Sequence, residues 1–409
     1  MRKIAILVDL ELTNIAGGHV KFWEKICYSI KDSNKDFIIS VFFLGQCFSK
    51  KEIGKNISFL TLKPTVSSKI LKSFGIDADS TDLFPINLKL LFKLKNYDLI
   101  HTTDQLFSMA KTAYYASKIW NIPLTTSLHT DTPSYTKYYV KKLFDKFPKF
   151  ISNFFIEHLK LHNRICEKQT IRMKNYLKFC EKCMINDQLN TKKLNFSSEL
   201  KKKVFKLSRG VDRKIFKKKK INRSALLEKY GISKNEKIIF FCGRVHELKG
   251  VLLISEIQKI LEKEFKLVSI LAGQNLHGDK CVQIGGERVK VIGYIDQIEV
   301  SRLYNLCDLF VFPSKYEIGP QVVLEAKACG AIPIVSPTGG GKRVYKNGED
   351  GIVIDFYNAK IWANQIKKLF KNKKQTDFMR KKILNEYKPP SWKEIFNKYF
   401  LNEWIKILK

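Results

Sequence analysis

The chain has 409 residues, long enough for two domains, and 44% of it is hydrophobic, which supports ordinary globular cores. Lys and Arg number 74 against 39 Asp and Glu, a formal net charge of +35. That excess fits a nucleic acid partner, an anionic membrane surface or the lysine bias of an AT-rich genome, and richness in Phe, Ile and Asn favours the last. On any of these readings a surface so basic favours anionic partners. From the N-terminus, MRKIAILVDLE has a basic start and an apolar run too short for a secretory leader, so it reads as a first strand, Ile4 to Val8.

Further strands are expected at Phe37 to Phe43, Leu99 to His101 and Leu124 to Ser127. Gly17-Gly18 forms a glycine loop after the first strand, followed by His19. Ser67 to Ile76 is a basic and apolar loop, and Asp77-Ala78-Asp79 has the spacing of a metal-binding pair but sits in a polar, solvated stretch. His101 ends a strand and His129 follows one; Asp131 lies beside His129 and suits either an acceptor contact or the cap of the next helix. From Ser134 to Leu177, Lys alternates with Tyr, Phe, Leu and Ile, a pattern for a membrane interface or for a helix pair with solvated lysines. A linker is expected at Lys206 to Lys220, with its run of four lysines.

In the second half strands are expected at Lys237 to Cys242, Leu267 to Ala272, Val289 to Ile292, Leu309 to Phe312, Ile332 to Val335 and Gly351 to Ile354. Strands alternating with helical patterns predict parallel sheets with helices on both faces. After Pro389-Pro390-Ser391 the tail reads as a terminal helix. The 9 cysteines are odd in number and scattered, as in a reducing cytoplasm. Cys27, Cys242, Cys307 and Cys329 read as core. Cys180 and Cys183 lack the further ligands a zinc site needs. No apolar run reaches the ~18 residues of a membrane span.

The stretch Tyr316 to Gly330, YEIGPQVVLEAKACG, carries the most chemistry. Glu317 and Glu325 flank Gly319-Pro320 between a buried strand and a helix, whose free N–H groups make an anion site. It resembles the signature of family 4 of the retaining glycosyltransferases, which have the α/β GT-B fold, two Rossmann-like doubly wound domains facing across a cleft. Gly243-Arg244 with Lys249-Gly250 is similar to the family's segment that holds the donor pyrophosphate. Leu271-Ala272-Gly273 and Val291-Ile292-Gly293-Tyr294 are similar to the segments beside the nucleotide base, Arg209-Gly210-Val211-Asp212 to the entry into the second domain, and Gly18 to the first glycine loop. The His129-Thr130-Asp131-Thr132-Pro133 form resembles members that glycosylate diacylglycerol or phosphatidylinositol, in which the His contacts the sugar.

The resemblance implies an acceptor-binding domain at 1–208, a nucleotide-sugar-binding domain at 209–388 and a terminal helix at 389–409 returning to the first. It implies transfer of a hexose from a UDP- or GDP-sugar, with Glu317 and His129 as catalytic residues. Arg244, Lys249, Gly319, Pro320, Glu325, Gly18, Gly293 and Tyr294 would bind donor, and Asp131 and His101 would face acceptor. No cofactor or metal is expected, because Arg244, Lys249 and the helix start can take up leaving-group charge. A glycosidase would use its carboxylate pair directly and leave those cations without a task. The acceptor is expected to be a membrane lipid such as diacylglycerol, which places the protein in the cytoplasm at the inner face of the membrane. The alternative is extension of a capsule, lipopolysaccharide or O-antigen glycan. A nucleic-acid-binding protein is disfavoured, since no recognition module is visible.

Overall fold

The structure, a computed structural model, describes residues 1–13, 18–72, 80–186, 196–315, 317 and 319–409. Asp77-Ala78-Asp79, Gly17, Tyr316 and the end of the Ser67 to Ile76 loop lie outside the described residues. The chain forms two compact units, residues 1–209 with 392–409, and residues 210–391.

Unit 1 is built on β1 (Arg2–Glu11), β2 (Phe37–Leu44), β3 (Ser49–Gly54), β4 (Ile57–Leu62), β5 (Leu99–Thr102), β6 (Leu124–Leu128), β7 (Lys182–Asn186) and β8 (Val204–Leu207). They form one sheet in the order β3-β4-β2-β1-β5-β6-β7-β8, parallel except for β3. Side chains alternate across a strand, so β1 serves two cores. Ala5 and Leu7 pack with the helices Leu88–Leu94, Ser108–Trp120 and Leu161–Phe179. Ile4, Ile6 and Val8 pack with the helix Gly18–Ile30 and the terminal segment from Trp392. Burial of both faces is why β1 reads as an unbroken apolar run. The terminal segment contributes rings: Trp404 stacks on Trp23 at 6.3 Å, Phe400 lies 4.8 Å from Trp23, and Trp392 meets Phe22 edge-on at 5.4 Å.

Unit 2 contains β9 (Lys237–Cys242), β10 (Leu267–Ala272), β11 (Val289–Gly293), β12 (Leu309–Phe312), β13 (Pro333–Val335) and β14 (Ile352–Val353). They lie all parallel in the order β11-β10-β9-β12-β13-β14 around one continuous core. The sheet reverses direction of growth between β9 and β12, the doubly wound arrangement with a switch point there. Unit 1 has the corresponding reversal between β1 and β5. Four strands of unit 1, β3, β4, β7 and β8, are additional to those expected from sequence. The edge strand β3, SKKEIG, has no apolar face, and β7 and β8 are only 5 and 4 residues long. Among the described residues no helix is long and apolar enough to cross a membrane.

Candidate active site

In a doubly wound sheet, the loops leaving the carboxyl ends of the two strands at the switch point diverge and open a crevice. In unit 2 those loops are residues 243–250 after β9 and 313–320 after β12. They are held tightly together. The Lys315 N–H donates to the Leu248 carbonyl at 3.0 Å, and the Ser314 hydroxyl donates to the same oxygen at 3.2 Å. Gly250 has φ +80°, and a Cβ there would lie 2.3 Å from the Pro313 carbonyl oxygen. Only glycine meets both conditions. Just before it, His246 accepts from the Leu248 N–H at 3.1 Å and so shapes the single turn that presents Lys249.

The result is a cation facing a carboxylate: Lys249 Nζ donates to Glu317 Oε1, with side chains only 14% and 23% exposed. Partial burial makes each group's charge count for more than it would in water. Arg244 is exposed at the end of β9. Gly319 has φ +66°, again a glycine conformation, and turns the chain into the helix Gln321–Ala328. Pro320 sits at the cap, one residue before the first helical position expected for it. No side chain caps that start among the described residues, and helix starts of this kind offer N–H groups that can donate to an anion. Gln321 reaches back to the Gly210 carbonyl at 2.7 Å, and Glu325, one turn further along, is buried. Gly293 closes β11, two strands from β9 on the same edge; its carbonyl accepts from Gly273 at 2.7 Å, and Tyr294 beyond it is exposed.

Sequence reading overlooked a supporting loop after β13. The Ser336 and Thr338 hydroxyls both donate to the Ser314 carbonyl, at 2.6 and 2.9 Å, and Gly340 lies against Pro320 and Val323. The signal was the run Thr338-Gly339-Gly340-Gly341 directly after a buried strand. Lys327 was also overlooked. It is buried, pairs with Asp350 at 2.7 Å and donates to the Arg343 carbonyl at 2.8 Å, fixing the far end of the signature helix. A groove of about 880 Å³ borders these loops at Glu247, Leu248 and Lys315 and runs between the helices Val251–Leu261 and Ala359–Lys371, but includes none of Arg244, Lys249 and Glu317.

In unit 1 the placement of the site candidates is different. His129 follows β6 and is buried against Phe22 at 4.7 Å, with Nε2 2.8 Å from the Ser127 hydroxyl. His101 needs correction. It is fully buried, its Nδ1 bonded to Thr125 and its Nε2 to Ser127, both at 2.9 Å, and its ring packs among Trp23, Phe400 and Trp404. A ring enclosed in this way is not presented to an acceptor. Ser127 therefore bridges the two histidines, and its single proton means that at most one imidazole accepts from it and at least one donates to it. Burial pushes His101 down to about 3 and His129 well below its ordinary range, so both rings are neutral near pH 7. Burial also pushes Asp9, at the end of β1, up to about 7, assisted by the nearby Asp104 and Asp82 charges. Asp131 caps the helix Thr132–Phe144, accepting from the Ser134 N–H at 3.3 Å and its hydroxyl at 2.6 Å. Gly18 opens the first helix beside the Arg209 guanidinium.

Fold and site define a GT-B α/β protein with two Rossmann-like units. Over 100% of both chains it is similar to the crystal structure of Anabaena Alr3699/HepE in complex with UDP and glucose (TM-score 0.69, 18% identity). Residues 222–385 match the family of glycosyl transferases group 1. An uncharacterized glycosyltransferase of Methanocaldococcus jannaschii, MJ1607, is 29% identical over 180 residues, which is 39% of this chain and 46% of that protein. A D-inositol 3-phosphate glycosyltransferase of Xylanimonas cellulosilytica is 27% identical over 150 residues, 35% of this chain and 36% of that one. The chain thus spans less than half the length of each of these two relatives.

Proposed function

We propose that the protein is a retaining glycosyltransferase that moves a hexose from a UDP- or GDP-sugar to a membrane lipid acceptor such as diacylglycerol, without a metal ion. The observation that carries this reading is the meeting, at the switch point of unit 2, of Lys249, Glu317 and a helix start with no side-chain cap among the described residues, with Arg244 on the same β9 loop. Breaking the anomeric C–O bond leaves a diphosphate with added negative charge. Arg244 offers a bidentate fork to it, Lys249 a point charge and the helix start its N–H groups. Glu325, buried one turn into the helix, accepts from the ribose hydroxyls, while Glu317 orients the sugar and stabilises its oxocarbenium-like charge. In unit 1, His129 is neutral and held by Ser127, so a sugar contact there would be a hydrogen bond rather than a charge.

The family match of residues 222–385 supports the donor half of this reading, and the Xylanimonas relative, a D-inositol 3-phosphate glycosyltransferase, supports transfer to a hydroxyl of a phosphorylated polyol. The test is release of nucleoside diphosphate from a panel of UDP- and GDP-sugars, with and without liposomes containing diacylglycerol and anionic lipid. A glycolipid product formed only with liposomes is expected, and a chelator should leave it unchanged. Release indifferent to liposomes and dependent on an added saccharide would reassign the acceptor to a growing glycan.

A further inference from the structure

The connection between the helices Thr132–Phe144 and Leu161–Phe179 presents an aromatic cap in a strongly basic setting. The two helices pack on each other. Between them, Phe147, Phe150 and Phe154 are 45%, 75% and 52% exposed. Phe147 and Phe154 belong to one contiguous group of rings, with Phe150 between them in the chain: Phe144 lies 5.7 Å from Phe147 and stacks on Phe155 at 5.0 Å, and Phe154 meets Phe155 at 5.4 Å. Ile156 is buried beneath and anchors the turn. Folding alone gives no reason to leave three phenylalanines in water at one place, and a contiguous exposed apolar patch marks an interaction surface. From Thr132 to Phe179 the chain has eleven Lys or Arg against three Asp or Glu, a net +8. Lys141 and Lys149, beside the rings, are exposed.

We infer that this hairpin tip docks on an anionic lipid bilayer, with Phe147, Phe150 and Phe154 entering the headgroup and acyl boundary and the flanking lysines on acidic headgroups. Apolar rings bordered by flexible cations match that interface in both polarity and charge. Single-stranded nucleic acid would also pair cations with aromatics, but it needs separate ring faces for successive bases. Here Phe144, Phe147, Phe154 and Phe155 pack on one another as a cap. The inference deepens the proposed lipid acceptor by locating the membrane contact, and rests on that reading for its purpose alone.

The experiment uses the full chain without donor or acceptor. Co-sedimentation is measured with vesicles of phosphatidylcholine alone and of phosphatidylcholine mixed with phosphatidylglycerol, in low and high salt. Binding is expected only to the mixed vesicles, weakening as salt rises, with amide hydrogen exchange slowed over residues 144–158. The variant F147S/F150S/F154S should bind at least ~10-fold more weakly. Because these side chains are exposed, its thermal melt should overlay that of the parent. Leu88 and Phe92, 62% and 68% exposed on the helix Leu88–Leu94, supply the control variant L88S/F92S, which should bind normally. Unaltered binding in the triple variant, equal loss in the control, or exchange protection elsewhere would overturn the assignment. So would a single-stranded oligonucleotide that displaces the vesicles and loses its own binding in the triple variant. Vesicle binding without any lipid glycosylation would instead sink the proposed acceptor and leave the docking surface standing.

Discussion

The two units share a strand order around their switch points and use those points differently. In unit 2 the loops after β9 and β12 hold charged groups at the surface or half-buried, and Lys249 and Glu317 face each other there. In unit 1 the strand ends carry groups so enclosed that burial works against their charged forms: Asp9 is pushed up to about 7 and His101 down to about 3. One topology therefore yields surface and half-buried charged groups in one unit and, in the other, buried groups whose charged forms are disfavoured. Depth of burial makes the difference, because it decides whether a charge is retained at all.

The largest expected effect is on the charged side of this contrast. R244A and K249A should each lower kcat/KM for the nucleotide-sugar by ~10²–10³ while unit 2 stays folded. E325A should fall in the same range through lost donor binding. Turnover in R244A equal to that of the parent would remove Arg244 from the phosphate site. E317Q is expected to lower kcat by roughly 10² with little change in donor KM, since its charge is needed mainly in the transition state. A rise in KM alone would make Glu317 a binding group only.

A smaller effect should come from the backbone. G250A forces a side chain into φ +80° against the Pro313 carbonyl. It should destabilise unit 2 by about 1–3 kcal/mol and displace Lys249, lowering activity beyond what the stability loss explains. Urea melts with activity measured on the folded fraction separate the two effects. Full activity in a folded G250A would show that the loop closes without this contact.

The smallest effect is pH-dependent and belongs to unit 1. The folded pKa of His101 lies below its ordinary value of 6.5, so its contribution to stability is present above that pH and is lost as pH falls toward about 3. Asp9 acts in the opposite sense. Its folded pKa is raised from 3.8 to about 7, so its contribution is present below 3.8 and is lost as pH rises through 7. H101Q should flatten the acid limb of the stability profile and D9N the neutral limb. Tryptophan fluorescence reports mainly unit 1, which holds Trp23, Trp120, Trp392 and Trp404 while unit 2 holds Trp362. An acid limb unchanged in H101Q would show that other groups carry it.

How much could be read from the chain differs between the units for a related reason. The unit 2 strands Lys237–Cys242, Leu267–Ala272 and Leu309–Phe312 fall at their expected limits, because strands buried on both faces leave continuous apolar runs. In unit 1 the edge strand β3 carries a charged sequence and was passed over. Lys249 and Glu317 were legible as site candidates because Gly250, Gly319 and Pro320 punctuate the chain around them. Ser127 was not, since a serine within a strand carries no signal of the two histidines it joins. His101 was read as a cleft residue for the same reason: a strand end shows where the backbone stops, not what later covers it.

By itself the sequence determined the alternation of strands and helices, the two-unit order and the identities of the charged residues in the loops after β9 and β12. These are local properties, set by hydrophobic period, turn residues and spacing along the chain. Only the tertiary structure decided that Lys249 meets Glu317 across 68 positions, that the terminal helix rings enclose His101, and that three phenylalanines of the hairpin tip remain in water. Each of these depends on which distant segments exclude solvent from a side chain, and that exclusion sets both its charge and its exposure.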